Sequence, residues 1–160
     1  MNTLKECLLL LNYTWQHKKA FLKTEKKVRG FNSLRGYLHD TDKLFLYWLL
    51  LFGVKKEQIQ KIHRRFATHH VENSKPKNKN DLIEMAIDWE CAPITKTDKP
   101  LLAFSTMIEH YPSMESVIMP IIAELGMLND EAVHQALQRK VFSETKIREL
   151  VLQYQNYAKH

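Results

Sequence analysis

The sequence predicts an all-α protein, a single-domain bundle of about seven or eight helices, on three observations. Only 4 Gly and 5 Pro occur in 160 residues, too little turn material for a meander of short strands. Leu, Lys and Glu, all good helix formers, are prominent. Apolar residues recur at steps of three and four in one segment after another.

Leu4, Leu8, Leu11 and Trp15 give the first amphipathic helix, expected to run to about Glu25, with Lys26, Lys27, Arg29 and Gly30 as a cationic stop. Asn32 or Ser33 can cap a second helix carrying Leu34, Tyr37, Leu38 and the run Leu44 to Phe52. That run is apolar on nearly all sides, so this helix is expected to be the buried centre, ended by Gly53. A third helix is expected from about Lys55 to His70, with Ile59, Ile62 and Phe66 on one face. The polar, lysine-rich stretch from Glu72 to Asn80 reads as a mobile loop.

Asn80 or Asp81 can cap a fourth helix through Cys91, closed by Pro93. Pro100 can start a fifth, ending near His110. Pro112 and Ser113 open a sixth, which Pro120 can kink. Asn129 and Asp130 open a seventh, and Ser143 with Glu144 opens the last, through Tyr157. Residues 1–160 thus read as one helical domain, with a candidate metal-site core over 10–92 and a helical extension over 98–158.

The net charge, 24 basic minus 18 acidic residues, is +6, which permits an anionic partner but does not demand one. Cys7 and Cys91 have neither a C-x-x-C nor a zinc-ribbon spacing, and the reducing cytoplasm is the expected location. The N-terminal Leu run lacks a small-residue cleavage site, so no signal peptide is expected. The most apolar stretch, Leu44 to Val54, is about 11 residues and well short of the roughly 20 that span a bilayer, so no membrane partner is expected.

The chemistry-bearing residues fall in a series: His17, His39-Asp40, His63, His69-His70 and Asp88. Imidazole nitrogens and carboxylate oxygens suit divalent transition metals, with Mn, Fe, Zn, Ni and Mg all open and one or two ions open. His39 and Asp40 point about 100° apart on a helix, yet both can reach one ion over that face. His63 and His70 would lie about 10.5 Å apart on a continuous helix, too far for one ion. Either two ions bind, or the helix ends before His69, or one residue acts outside the ligand set. Asp81, Glu84 and Asp88 share a helical face, a spacing usual for a solvated acidic stripe. Arg64, Arg65, Lys75, Lys77 and Lys79 could bind phosphates or keep a loop soluble. No glycine-rich phosphate loop, His-Glu-x-x-His or Gly-x-Ser-x-Gly is present.

The segment Gly36-Tyr-Leu-His39-Asp40-Thr-Asp-Lys43 resembles the signature of the HD superfamily of metal-dependent phosphohydrolases. His17 upstream, His63, His69 or His70 downstream, and Asp88 late in an apolar helix fill the family's remaining slots in order. Two downstream histidine slots are similar to the dinuclear members, which include phosphodiesterases and di-iron oxygenases. A closer likeness is to small helical proteins of bacteria and their phages that share His39-Asp40-x-x-Lys43, His63-x5-His69-His70-x-Glu72 and Asp88-Trp89. The likeness covers residues 17 to about 92. Asp42 stands where many family members carry Gly.

The resemblance implies a hydrolase acting on a phosphorylated small molecule or nucleotide, as a phosphomonoesterase or phosphodiesterase. Asp40 or Asp88 would hold or deprotonate water, and Lys43 and Arg64 or Arg65 would stabilise negative charge. Two other classes stand beside it: a di-iron oxygenase of the same fold, and a non-enzymatic helical module for an anionic partner, nucleic acid or protein. For the module, aromatics do not alternate with the basic residues as a stacking platform needs.

Overall fold

The structure, a computed structural model, describes residues 3–96, 98 and 100–159. Among these residues every regular element is helical, and no helix is long and apolar enough to cross a membrane. α1 (Thr3–Arg29) is followed by two short helices, α2 (Leu34–Leu38) and α3 (Thr41–Leu46), and a 3₁₀ segment, Tyr47–Phe52. α4 (Lys56–Phe66) and α5 (Lys79–Thr95) come next, and α6 (Ala103–His110), α7 (Glu115–Glu124), α8 (Asp130–Arg139) and α9 (Glu144–Tyr154) complete the order.

α1 runs four residues beyond Glu25 and stops where Gly30 adopts φ 79° and its amide reaches Lys26. Its buried face is not the expected leucine stripe, because Leu4, Leu8 and Trp15 are about half exposed. Cys7, Thr14, His17, Lys18, Phe21 and Glu25 are buried instead. A helix that buries polar side chains does so where partners satisfy them; here His17 faces the candidate site, Lys18 the chain break beside it, and Glu25 meets Ser33 and Arg29.

The expected second helix is broken at His39 and Asp40. Asp40 sits in the left-handed region at φ 56°, which costs a non-glycine residue about 1 kcal/mol or more. The break frees backbone carbonyls, and buried Lys18 gathers them: its Nζ donates to the Tyr37 and His39 carbonyls and to Thr41 Oγ1. Nor is the following apolar run a buried centre. Tyr47 and Leu50 are buried, but Phe45 is 72% and Phe52 83% exposed, because a short helix and a 3₁₀ turn present one inner face only.

α4 ends at Phe66 rather than His70, with the Ala67 amide donating to the His63 carbonyl. Ile59 and His63, four apart, form its buried face, whereas Phe66 is exposed. The loop after it is anchored: buried Asn73 donates to the Arg65 carbonyl and accepts from the Lys75 amide.

α5 starts earlier than expected because Asn78 caps it, exchanging side-chain and backbone hydrogen bonds with Asp81. It also runs through Pro93 to Thr95, so its last turn brings Thr95 to the site. α6 begins at Ala103, not Pro100; the Leu102 and Ala103 amides are taken by Gln135 and Glu90. Asn129 and Ser143 cap α8 and α9.

Two apolar clusters hold the helices. The larger joins Phe21 of α1, Met85 and Ile87 of α5, and Phe104, Ile122 and Ile147 of the C-terminal helices. The smaller joins Cys7, Tyr47, Leu50 and Ile59. Along α1, His17 and Lys18 fall between Cys7 and Phe21, so the polar site lies where the clusters meet.

Gly36 allows α2 to lie on α1, since a Cβ there would collide with the Glu25 carboxylate. Glu25 is itself pinned by Ser33 and Arg29. Gly36→Ala is therefore expected to cost about 2 kcal/mol, the range for overpacking, in urea unfolding.

Candidate metal centre

Five elements deliver one polar cluster. α1 supplies His17, the break before α3 supplies His39 and Asp40, α4 supplies His63, the following turn supplies His69 and His70, and α5 supplies Asp88. All seven side chains expected from the sequence are thus brought together. Asp40 lies at the middle: its Oδ1 is 3.1 Å from His63 Nε2, 3.7 Å from His69 Nε2 and 3.8 Å from His39 Nε2. Its Oδ2 is 3.9 Å from His17 Nε2 and 2.7 Å from Lys43 Nζ. Asp88 Oδ1 lies 2.8 Å from His17 Nε2 and 3.7 Å from His39 Nε2. The end of α4 at Phe66 removes the helical separation of His63 and His70, whose Nε2 atoms approach to 2.8 Å.

Four of the five imidazoles are tied down at their outward nitrogen. His39 Nδ1 and His69 Nδ1 both reach Glu84 Oε1, at 3.1 and 3.2 Å. His63 Nδ1 pairs with Asp42 at 2.7 Å, and His17 Nδ1 with Thr95 Oγ1 at 3.2 Å. A carboxylate that accepts from Nδ1–H fixes the tautomer with its lone pair on Nε2, facing the centre. His39 is held further by stacking on Phe21, with ring centroids 3.9 Å apart.

The cluster has atoms left over. Of five buried side-chain polar atoms without a hydrogen bond among the described residues, three are His39 Nε2, Asp40 Oδ1 and His69 Nε2. Buried polar atoms without partners are costly, and these three point toward one another. Donor atoms of Asp40, His63, His69 and His70 lie within 4.8 Å of one another, as do those of His17, His39 and Asp40, and of His39, His69 and Asp88. Such groups could hold a divalent metal ion, and nitrogen and carboxylate donors fit one. Cys91 lies within reach of His17 and Asp88, but its thiol donates to the Asp88 carbonyl and burial pushes its pKa well up.

Burial and charge oppose each other throughout. Burial alone would raise the carboxyls. At Asp40 it is outweighed by the His39 and Lys43 charges, and at Asp88 by the hydrogen bond from His17 and the nearby His39 charge, so both are held well below the usual range. At Glu84, bonds from His39 and His69 likewise outweigh burial and hold the carboxyl well down. Burial would lower His39, but Asp40, Asp88 and Glu84 raise it to about 9. His70 is lowered to about 2, by burial and then by the charge of His69.

These shifts set a pH dependence for the metal-free protein. The depressed carboxyls contribute stability that is present above their ordinary values, 3.8 and 4.5, and is lost as pH falls below them. The raised His39 contributes stability that is complete below its ordinary 6.5 and is lost as pH rises through about 9. Thermal melts in chelator should therefore peak between these limits and fall by roughly 5 °C toward pH 9. Divalent metal, which takes neutral imidazole, should remove that alkaline fall. A flat profile from pH 6.5 to 9, unmoved by metal, would contradict this.

Several participants were not singled out from sequence. Glu84 belonged to the expected solvated acidic stripe, yet Asp81, Glu84 and Asp88 are all buried. Arg35 spans the first two, its guanidinium bonding Asp81 at 2.5 Å and Glu84 at 2.8 Å. Thr95 and Lys18 had no sequence signal beyond polarity, and Asp42 was marked only as a departure from the resembled pattern. Of the residues expected to act on substrate, Asp40 is central, Lys43 is paired with it, and Arg64 lies half-exposed at the rim, 3.6 Å from Glu72. Lys43 and Arg64 line a cavity of about 580 Å³ that opens onto His17, His63 and Asp88. Arg65 is exposed and does not line that cavity.

Comparison with known protein families, curated proteins and solved structures finds no match to this chain.

Proposed function

We propose that the chain is an HD-like, metal-dependent phosphohydrolase whose substrate is a phosphorylated small molecule or nucleotide. The observation that carries this reading is the convergence of three buried atoms without a hydrogen bond, His39 Nε2, Asp40 Oδ1 and His69 Nε2, among imidazoles anchored from behind. Seven side chains exceed the four to six that one ion takes. His17, His39, Asp40 and Asp88 would hold one ion, and Asp40, His63, His69 and His70 would hold a second. A divalent ion in such a site makes water acidic enough to serve as a nucleophile near neutral pH and draws charge from a phosphoryl oxygen.

The protein's own groups do the rest. Asp88 and Asp40, held ionised, would orient water at the floor of the cavity. Lys43, kept charged by Asp40, and Arg64 at the rim offset the charge that grows on the phosphoryl oxygens. The 580 Å³ cavity lies in the size range of small-molecule sites.

The test is a screen of nitrophenyl phosphoesters and nucleotides with protein stripped by chelator and reloaded separately with Mn, Fe, Zn, Ni or Mg. Hydrolysis that appears with metal and vanishes with chelator is expected. No turnover of any phosphoester with any of these metals would sink the reading.

A further inference from the structure

The floor of the centre opens in two directions. On one side lies the 580 Å³ cavity, walled by Tyr13, Tyr47, Lys56 and Gln60. On the other lies a smaller cavity of about 170 Å³, walled by Trp89, Leu101, Thr106 and Tyr111. Four residues line both: Arg64, His70, Asp88 and Lys96. Two of these belong to the candidate metal set, and the other two are cations on opposite elements.

Resting on the phosphohydrolase reading, we propose that the substrate is a phosphodiester lying across the centre, with one substituent in each cavity and a flat aromatic group in the smaller one. A phosphomonoester has a single substituent and would use one cavity. Two cavities that share an Arg, a Lys, a His and an Asp at their junction fit a phosphoryl group substituted on both sides. The junction is where such a group would meet Arg64 and Lys96, whose charges suit its non-bridging oxygens.

The walls also differ in chemistry. The larger cavity carries Lys43, Lys56, Asp40 and Asp98, which the smaller lacks, and suits a polar or charged substituent; the smaller carries Glu72 and His110 beside its aromatic wall. The smaller is bounded by Trp89 and Tyr111, already stacked at 5.1 Å with rings 7° from parallel. A paired aromatic wall offers a rigid surface to another ring. Its 170 Å³ falls below the range for whole small-molecule sites, as expected of a subsite for one group.

In the reaction a water oxygen bonds to phosphorus and one ester P–O bond breaks. The products are a phosphomonoester and an alcohol. One water proton ends on the departing oxygen and the other passes to solvent, and no oxidant or reductant is needed.

The experiment compares bis(4-nitrophenyl) phosphate with 4-nitrophenyl phosphate as substrates of the Mn-loaded protein. Diphenylphosphinate and phenylphosphonate, which cannot be hydrolysed, are compared by calorimetric titration. The diester should be favoured at least tenfold in kcat/KM, and diphenylphosphinate should bind at least tenfold tighter. Thr106→Phe, which fills the smaller cavity, should reduce both ratios at least tenfold. Gln60→Trp, on the half-exposed side of α4, should do the same from the larger cavity and covers the case in which Thr106→Phe fails to fold. Hydrolysis of the monoester as readily as the diester, or ratios unmoved by a folded variant, would overturn the diester assignment and leave the phosphohydrolase reading standing. Turnover of neither ester, with no other phosphoester hydrolysed under Mn, Fe, Zn, Ni or Mg, would overturn both.

Discussion

Asp40→Asn is expected to lower metal affinity by more than about 100-fold and to abolish phosphoester hydrolysis, while the helical fold survives. The magnitude follows from position. Disturbing a group behind a ligand costs about 10–100-fold, and Asp40 is the carboxylate around which His17, His39, His63 and His69 all gather. Asn is the informative replacement because it tolerates the left-handed backbone that Asp40 adopts at φ 56°. Its amide keeps the shape and one acceptor, but the negative charge is gone and an N–H₂ group points at donors. Chelator competition reads the affinity and circular dichroism the fold. An Asp40→Asn protein that held metal as tightly as the natural chain would remove Asp40 from the ligand set.

Glu84→Gln should lower metal affinity by about 10- to 100-fold without touching the metal-facing atoms. One oxygen of Glu84 receives both His39 Nδ1–H and His69 Nδ1–H, and the other receives Arg35. A glutamine can satisfy the imidazoles only by turning its N–H₂ toward the Arg35 guanidinium, donor against donor. Whichever way it turns, one side loses its acceptor, at a cost of about 1–3 kcal/mol in stability. The two imidazoles would then be free to rotate or change tautomer. Unchanged affinity in the Glu84→Gln protein would mean that Glu84 serves the fold and not the orientation of His39 and His69.

The order of His17, His39-Asp40, His63, His69-His70 and Asp88 was legible because ligand types and their sequence spacing survive without coordinates. The conflict between His63 and His70 was legible too, and its resolution lies in a helix end. α4 stops at Phe66, and no glycine or proline within Ala67, Thr68 or His69 announces it. The break at Asp40 was hidden for a related reason: a positive φ on Asp is paid for by tertiary partners, above all Lys18. Periodicity placed Asp81, Glu84 and Asp88 on one face but could not say which way the face turns. Three carboxylates in a row point inward only because Arg35, His39, His69 and His17 arrive from elsewhere in the chain. The converse holds for Phe45 and Phe52, whose apolarity suggested burial and which are exposed.

The central claim, that the converging histidines and aspartates form a metal centre, is tested most directly by elemental analysis of the purified chain beside the His39→Ala, Asp40→Ala double variant. Both proteins would be measured as isolated and after incubation with Mn, Fe, Zn, Ni and Mg. The account expects close to two equivalents of a divalent metal in the natural chain and almost none in the variant. No metal in either protein under any of these conditions, or equal metal in both, would contradict it.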